Sequence, residues 1–415
     1  MKLSRREFLL LSGVFVGSMV IGGPLLHEGV RQVKNGLGGR RERALVVVQL
    51  SGGNDGINTV IPYGQGAYYD ERPTLRIAEK EVLQIDGRLG FHPSLTGLHD
   101  LYREGKLAVV QGTGYPKPSH SHFRSMEIWH TAEPEQIIAS GWLGRYLQAA
   151  GTNNPLHALQ IGGTESKAFF APGVQVPVMQ SLETFTFLDQ RATASQTEKR
   201  YVEEALRLMY ESQKQPEAYR SAAAKGQHAY EAVQAMQALL ASGSQPGQGG
   251  AGAAAYPEHS FARELRLAAS LLDGGTGTRV FYVQLGGFDD HANEREQHAR
   301  MLGILDKGLS AFYKDLKARG LSNDVVTVVF SEFGRRVREN QSGGTDHGTA
   351  GPVLVLGGKV KGGLYGQYPS LTQLTNGDLR YEVDFRSVYS TLLEDWLRVD
   401  STEVLGRKYE SLRFV

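Results

Sequence analysis

Ala44-Leu45-Val46-Val47-Val48-Gln49-Leu50 runs directly into Ser51-Gly52-Gly53-Asn54-Asp55-Gly56. The first seven residues form a short, continuous, β-branched apolar run, the pattern of a strand buried on both faces. The next six hold three glycines and an Asn-Asp pair, the composition of a tight turn with exposed backbone N–H groups. Similar apolar runs recur at residues 107–111, 156–161, 280–285, 325–330 and 353–356, with amphipathic stretches at 93–104 and 297–319. Buried strands alternating with helices predict an α/β fold: a three-layer α/β/α sandwich around a mostly parallel sheet.

Composition excludes several classes. The chain has 415 residues, 45 basic against 44 acidic, 51 glycines and no cysteine. Without cysteine there is no disulfide, iron–sulfur site or thiol nucleophile. A net charge of +1 leaves no electrostatic footprint for nucleic acid. That near-neutrality is uneven. Residues 1–45 carry eight basic and three acidic groups, so the remainder is mildly acidic, with 37 basic against 41 acidic.

The basic excess sits in Ser4-Arg5-Arg6-Glu7-Phe8-Leu9-Leu10, ahead of an apolar run to Leu26 softened by Gly13, Gly17 and Ser18. This is the layout of a twin-arginine export signal, with the twin-arginine translocase as the implied partner and the periplasm, or the outer face of the inner membrane, as destination. The apolar run, about 20 residues long, is also close to the length of a membrane span. No clean Ala-x-Ala site marks a cleavage point, so removal of the signal and membrane attachment through it both stay open. A protein exported already folded gains nothing from disulfides, which fits the missing cysteines.

Residues 1–35 therefore read as signal or anchor, and 44–415 as a single α/β domain. Residues 195–240 are helix-forming, and 242–255 are low-complexity Gly/Ala/Ser sequence. Residues 190–275 are expected to be a helical insertion, because neither half of the chain offers enough strands for its own sheet.

In open α/β sheets ligands bind beyond the carboxyl ends of the strands, so the residues after each apolar run carry the chemistry. Asp55 follows the first run, as a metal ligand or as an ordinary Asx-turn residue. Ser119-His120-Ser121-His122 precedes a helix, with Ser121 as cap or nucleophile and His122 beside it. Gly286-Gly287-Phe288-Asp289-Asp290-His291 follows the run at 280–285, and its carboxylate and imidazole suit half of a metal site. Ser331-Glu332 follows the run at 325–330, with Glu332 a ligand, a general base or the partner of Arg335. Asp346-His347 lies between glycines before the run at 353–356, offering an imidazole with the Asp as ligand or orienting group. Oxygen and nitrogen donors without sulfur suit zinc, manganese, magnesium or calcium.

With these residues in view, the chain resembles the domain of unknown function family 1501. These are twin-arginine-exported bacterial proteins distantly similar to the alkaline phosphatase/sulfatase superfamily. The resemblance rests on the signal, the Gly52–Gly56 turn, Ser121-His122-Phe123 with Trp129, Gly141-Trp142-Leu143-Gly144-Arg145, Gly286-Gly287-Phe288-Asp289, Ser331-Glu332-Phe333-Gly334-Arg335 and Gly344-Thr345-Asp346-His347-Gly348. It implies an alkaline-phosphatase-like fold with divalent metals at the carboxyl edge of the sheet and a hydroxyl nucleophile at a helix start. Asp55 then corresponds to the first-strand metal Asp and Ser121 to the nucleophile; Asp289, His291 and His347 correspond to further ligands. Two departures stand out: Asn293 occupies an expected histidine position, and Glu332-Phe333 replaces an Asp-His pair. One metal, or none, is compatible with them.

Two functions follow. The first is a metal-dependent hydrolase of an anionic phosphate or sulfate ester, in which Ser121 or water attacks, Asp55, Asp289, His291, Asp346 and His347 hold metal, and Glu332 and His122 move protons. The second is a non-catalytic envelope binding or assembly protein with an eroded site. The enzyme is favoured because clustered polar side chains are costly to keep as mere structure.

Overall fold

The computed structural model describes residues 42–180, 232 and 255–415. The stretch read as an export signal and the helix-forming stretch 195–240, apart from residue 232, lie outside the described residues. Twelve strands are described: β1 (Ala44–Ser51), β2 (Val60–Ile61), β3 (Leu83–Gln84), β4 (Gly90–Phe91), β5 (Leu107–Gly114), β6 (Ala158–Ile161), β7 (Val178–Met179), β8 (Val280–Gly286), β9 (Val325–Ser331), β10 (Gly351–Gly357), β11 (Gly363–Tyr365) and β12 (Val383–Asp384). Nine form the main sheet, in the order β11-β5-β10-β9-β1-β8-β6-β7 with β12 beside β5; β2, β4 and β3 form a small separate sheet.

The opening run of the sequence lies mid-sheet, with β8 and β9 as parallel neighbours. Its side chains alternate between two cores. Val46, Val48 and Leu50 join a cluster under the helices Thr96–Arg103, Ser260–Asp273 and Glu294–Ala318. Leu45 and Val47 join a second, under the helices His122–Thr131, Trp142–Ala150 and Phe385–Thr391. Helices on both faces explain why β1 is apolar at nearly every position. The layers are those expected of an α/β/α sandwich.

Two features were not legible in the sequence. Helix Ser260–Asp273, inside the stretch read as an insertion, packs Phe261, Leu265 and Leu271 into the first core, so these residues belong to the domain's own helical layer. Strand β10 runs antiparallel to both β5 and β9, and the other described pairings of the main sheet are parallel. The loop before β10 therefore emerges at the same edge as the carboxyl ends of β1, β8 and β9.

Candidate metal centre

Three loops meet at that edge, backbone against backbone. At Gly52 (φ +119°) a Cβ would stand 2.4 Å from the Asp289 amide nitrogen, and at Gly344 one would stand 2.3 Å from the carbonyl carbon of His291. Only glycine fits such approaches. The turn after β1 thus lies on the backbone that carries Asp289, and the loop before β10 lies on that of His291. Helix His122–Thr131 starts beside them, with its first residue, His122, against Asp289.

Imidazoles gather around Asp289. His347 Nε2 is 3.1 Å from Asp289 Oδ1, His291 Nε2 is 3.0 Å from the same oxygen, and His122 Nε2 is 3.4 Å from Oδ2. One ligand atom each from His122, Asp289 and His347 falls within a 4.8 Å span. His291 approaches from the side, its Nε2 2.9 Å from that of His347.

The opposite ring nitrogens explain why these atoms face inward. His122 Nδ1 is 2.8 Å from Glu332 Oε1, and His347 Nδ1 is 2.8 Å from the His120 carbonyl oxygen. An acceptor at Nδ1 keeps the proton there and leaves Nε2 as a lone pair, the arrangement of metal-binding histidines. His122 Nε2 is buried with no hydrogen-bond partner among the described residues. Two such lone pairs beside a carboxylate have little reason to converge unless a cation or proton joins them. A donor set of imidazoles and one carboxylate, with one position to spare, fits zinc or manganese better than magnesium or calcium, which prefer all-oxygen sites.

Charge supports the geometry. Burial opposes ionisation of Asp289, but the hydrogen bond from Arg335, its positive charge and the imidazoles close by outweigh it and hold the carboxyl down at about 2. The hydrogen bond to Glu332 raises the His122 imidazole above its ordinary value, whereas burial lowers that of His347. The ring of Phe333 lies 4.9 Å from that of His122 and 4.8 Å from that of His347. It supplies an apolar wall, not a ligand.

The expected site residues divide. Asp289, His291 and His347 lie together, and His122, expected to move protons, lies beside them. Glu332 is buried behind it, accepting from His122 and the Gly52 amide at 2.9 Å, so it orients an imidazole. Asp346 Oδ1 is 3.8 Å from His291 Nδ1 and also meets Asn340, which places it behind His291. Ser121 is exposed at the helix N-cap with no side-chain capping bond. Asp55 does not join the group: Arg72 binds both its oxygens, and the Ile57 amide donates to Oδ1 at 3.2 Å. The Asx-turn reading is realised, with a buried ion pair added.

Three residues were not foreseen, two around Asp55 and one within the centre. Arg72 lies seventeen residues from Asp55 in a stretch without other signals. Glu294, just ahead of the amphipathic stretch at 297–319, opens the helix Glu294–Ala318 beside Asp55. Arg335 stood in a quoted motif as a partner for Glu332, yet it pairs with Asp289 at 2.8 Å.

Fold and site together define a class: an α/β/α protein with a histidine–carboxylate cluster at the carboxyl edge of its sheet. Within that class the chain belongs to the family described as "Protein of unknown function (DUF1501)", which it matches over residues 42–407. No curated protein sequence matches it. Among solved structures it is similar to a protein in the alkaline phosphatase superfamily from Vibrio parahaemolyticus, at 12% identity over 95% of this chain and 80% of that one, TM-score 0.39. It is also similar to the lipoteichoic acid synthase LtaP from Listeria monocytogenes, at 11% identity over 93% and 79%, TM-score 0.36. A third is the C-terminal periplasmic domain of EcEptC from Escherichia coli in complex with Zn, at 12% over 77% and 74%, TM-score 0.35.

Proposed function

We propose that this protein is an exported, divalent-cation-dependent hydrolase of a phosphate or sulfate ester. The observation that carries the reading is the convergence of His122 Nε2, His347 Nε2 and the Asp289 carboxylate, with the far nitrogen of both rings held by an acceptor. His122, Asp289 and His347 would hold the cation, with His291 beside them. A bound divalent cation supplies charge stabilisation for the ester's anionic oxygens and makes a hydroxyl or water a better nucleophile at neutral pH.

The chain's own groups do the rest. Glu332 keeps the proton on His122 Nδ1, and the His120 carbonyl keeps that of His347 Nδ1. Ser121 Oγ, uncommitted at the start of a ten-residue helix, is the proposed nucleophile, with water as the alternative. The backbone N–H groups of that helix start face an incoming anion favourably. Export by the twin-arginine route, to the periplasm or the outer face of the inner membrane, belongs to the same proposal. Among the described residues no helix is long and apolar enough to cross a membrane.

The test is cation content and turnover. The reading expects one zinc or manganese per chain, a thermal shift on adding it, and hydrolysis of a phosphate or sulfate ester that is lost in Ser121→Ala while cation binding stays. No bound cation, and no stabilisation by zinc, manganese, magnesium or calcium, would overturn it. The Asp55–Arg72 ion pair favours a second reading, a binding or assembly protein with an eroded centre. Stoichiometric cation without turnover of any phosphate or sulfate ester would select that one.

A further inference from the structure

Arg335 is 1% exposed, and its guanidinium is surrounded by acceptors. Nε donates to the Gly53 carbonyl at 2.6 Å and Nη1 to that of Thr345 at 2.9 Å. Nη2 donates to the Phe288 carbonyl at 2.9 Å, to Asp289 Oδ1 at 2.8 Å and to the Gly52 carbonyl. One side chain therefore ties together the turn after β1, the turn after β8 and the loop before β10. Its main chain does more, because Arg335 pairs with His347 in an isolated antiparallel bridge. The neighbouring bonds reinforce that bridge: Arg336 N to Asp346 O at 3.0 Å, and Gly348 N to Gly334 O at 2.9 Å.

A buried guanidinium is held only where its N–H donors are matched. Here four carbonyls and one carboxylate match them. The carboxylate is Asp289, and the bridged residue is His347, two of the three converging donors. Arg335 takes Oδ1 of Asp289, while Oδ2 faces His122. The third donor, His122, is fixed from Glu332, three residues earlier on the same segment.

We propose that Arg335 is the positioning residue of this centre, holding Asp289 and His347 so that the donors are set before a cation arrives. The proposal rests on the cation-binding reading above. A lysine keeps the charge but has no planar fork, so it cannot hold Asp289 and the carbonyls of three loops together. Loss of such an outer partner typically weakens metal binding 10- to 100-fold.

The experiment titrates the full chain with cobalt(II), following its d–d absorption, in wild type, Arg335→Lys and Leu316→Ala. Leu316 is a core residue of helix Glu294–Ala318, so its truncation lowers stability without touching the centre. Arg335→Lys is expected to bind cobalt 10- to 100-fold more weakly, with an altered spectrum, while Leu316→Ala keeps wild-type affinity. Equal affinity and spectrum in wild type and Arg335→Lys would overturn the positioning role, as would equal weakening in Leu316→Ala. A wild type that takes no cobalt overturns the cation reading itself, and the positioning role with it. Should Arg335→Lys not fold, the wild type is labelled with 15N-arginine. The exchange-protected Nε signal that moves in Asp289→Asn reports Arg335; zinc must shift it, and an indifferent signal overturns the proposal.

Discussion

Replacing Glu294 with glutamine should make the protein's stability less sensitive to rising pH. Glu294 opens helix Glu294–Ala318 and is 1% exposed. Its Oε2 accepts from Thr345 Oγ1 at 2.6 Å, and its Oε1 has no hydrogen-bond partner among the described residues. Burial pushes its carboxyl up, and the negative charge of Asp55 pushes it further, to about 9. Asp55 is held below the usual carboxylate range by Arg72, against the pull of burial. At neutral pH the group thus holds one carboxylate, one guanidinium and one neutral acid, and Arg72 is matched by a single charge.

The sign follows from proton counting. The unfolded chain releases the Glu294 proton above its ordinary value of 4.5, whereas the native protein keeps it to about 9. Between those limits the native state binds more protons, so stability falls as pH rises. For one proton the slope is about 1.4 kcal/mol per pH unit. Glutamine has no proton to lose, yet can still accept from Thr345 and donate towards Asp55. The stability of Glu294→Gln relative to wild type should therefore grow by about 3 kcal/mol from pH 5.5 to 7.5. Urea unfolding followed by tryptophan fluorescence at pH 5.5, 6.5, 7.5 and 8.5 measures this, since titrations common to both proteins cancel in the difference. A difference that stays flat across that range would mean that Glu294 is ionised in the native protein, and the charge assignment around Asp55 would be refuted.

Other outcomes follow from the same geometry. Asp55→Asn leaves the fully buried Arg72 without its counter-charge, so urea unfolding should show a loss of about 3–5 kcal/mol, while zinc affinity by calorimetry stays at the wild-type level; a fall in that affinity would put Asp55 back in the centre. Glu332→Gln should weaken zinc binding about 10- to 100-fold, because the His122 Nδ1 proton loses its anionic acceptor; unchanged affinity would detach His122 from the site. Phe123 is 92% exposed, so Phe123→Ala should leave stability within about 0.5 kcal/mol, which thermal unfolding checks directly. Fusing residues 1–43 to a folded reporter should direct it to the periplasm, and a lysine pair in place of Arg5 and Arg6 should retain it in the cytoplasm.

The sequence by itself determined the strands, because residues buried on both faces must be apolar without alternation, and the runs at 44–50, 280–285 and 325–330 have that signature. It also placed Asp289 and His291 just beyond a strand, where glycines allow loops to touch. Three matters waited for the tertiary structure. His347 precedes a strand, and it reaches the site only because β10 runs against its neighbours; direction is set by pairing across the sheet, which local residues do not encode. Asp55 looked like a ligand because carboxylates at strand ends look alike, and only the fold brings Arg72 onto it. His122 and Glu332 are 210 positions apart, so the bond that turns an imidazole inward exists only once helix and strand are packed together. Local chemistry nominates residues, but their roles depend on which distant partner occupies the remaining nitrogen or oxygen.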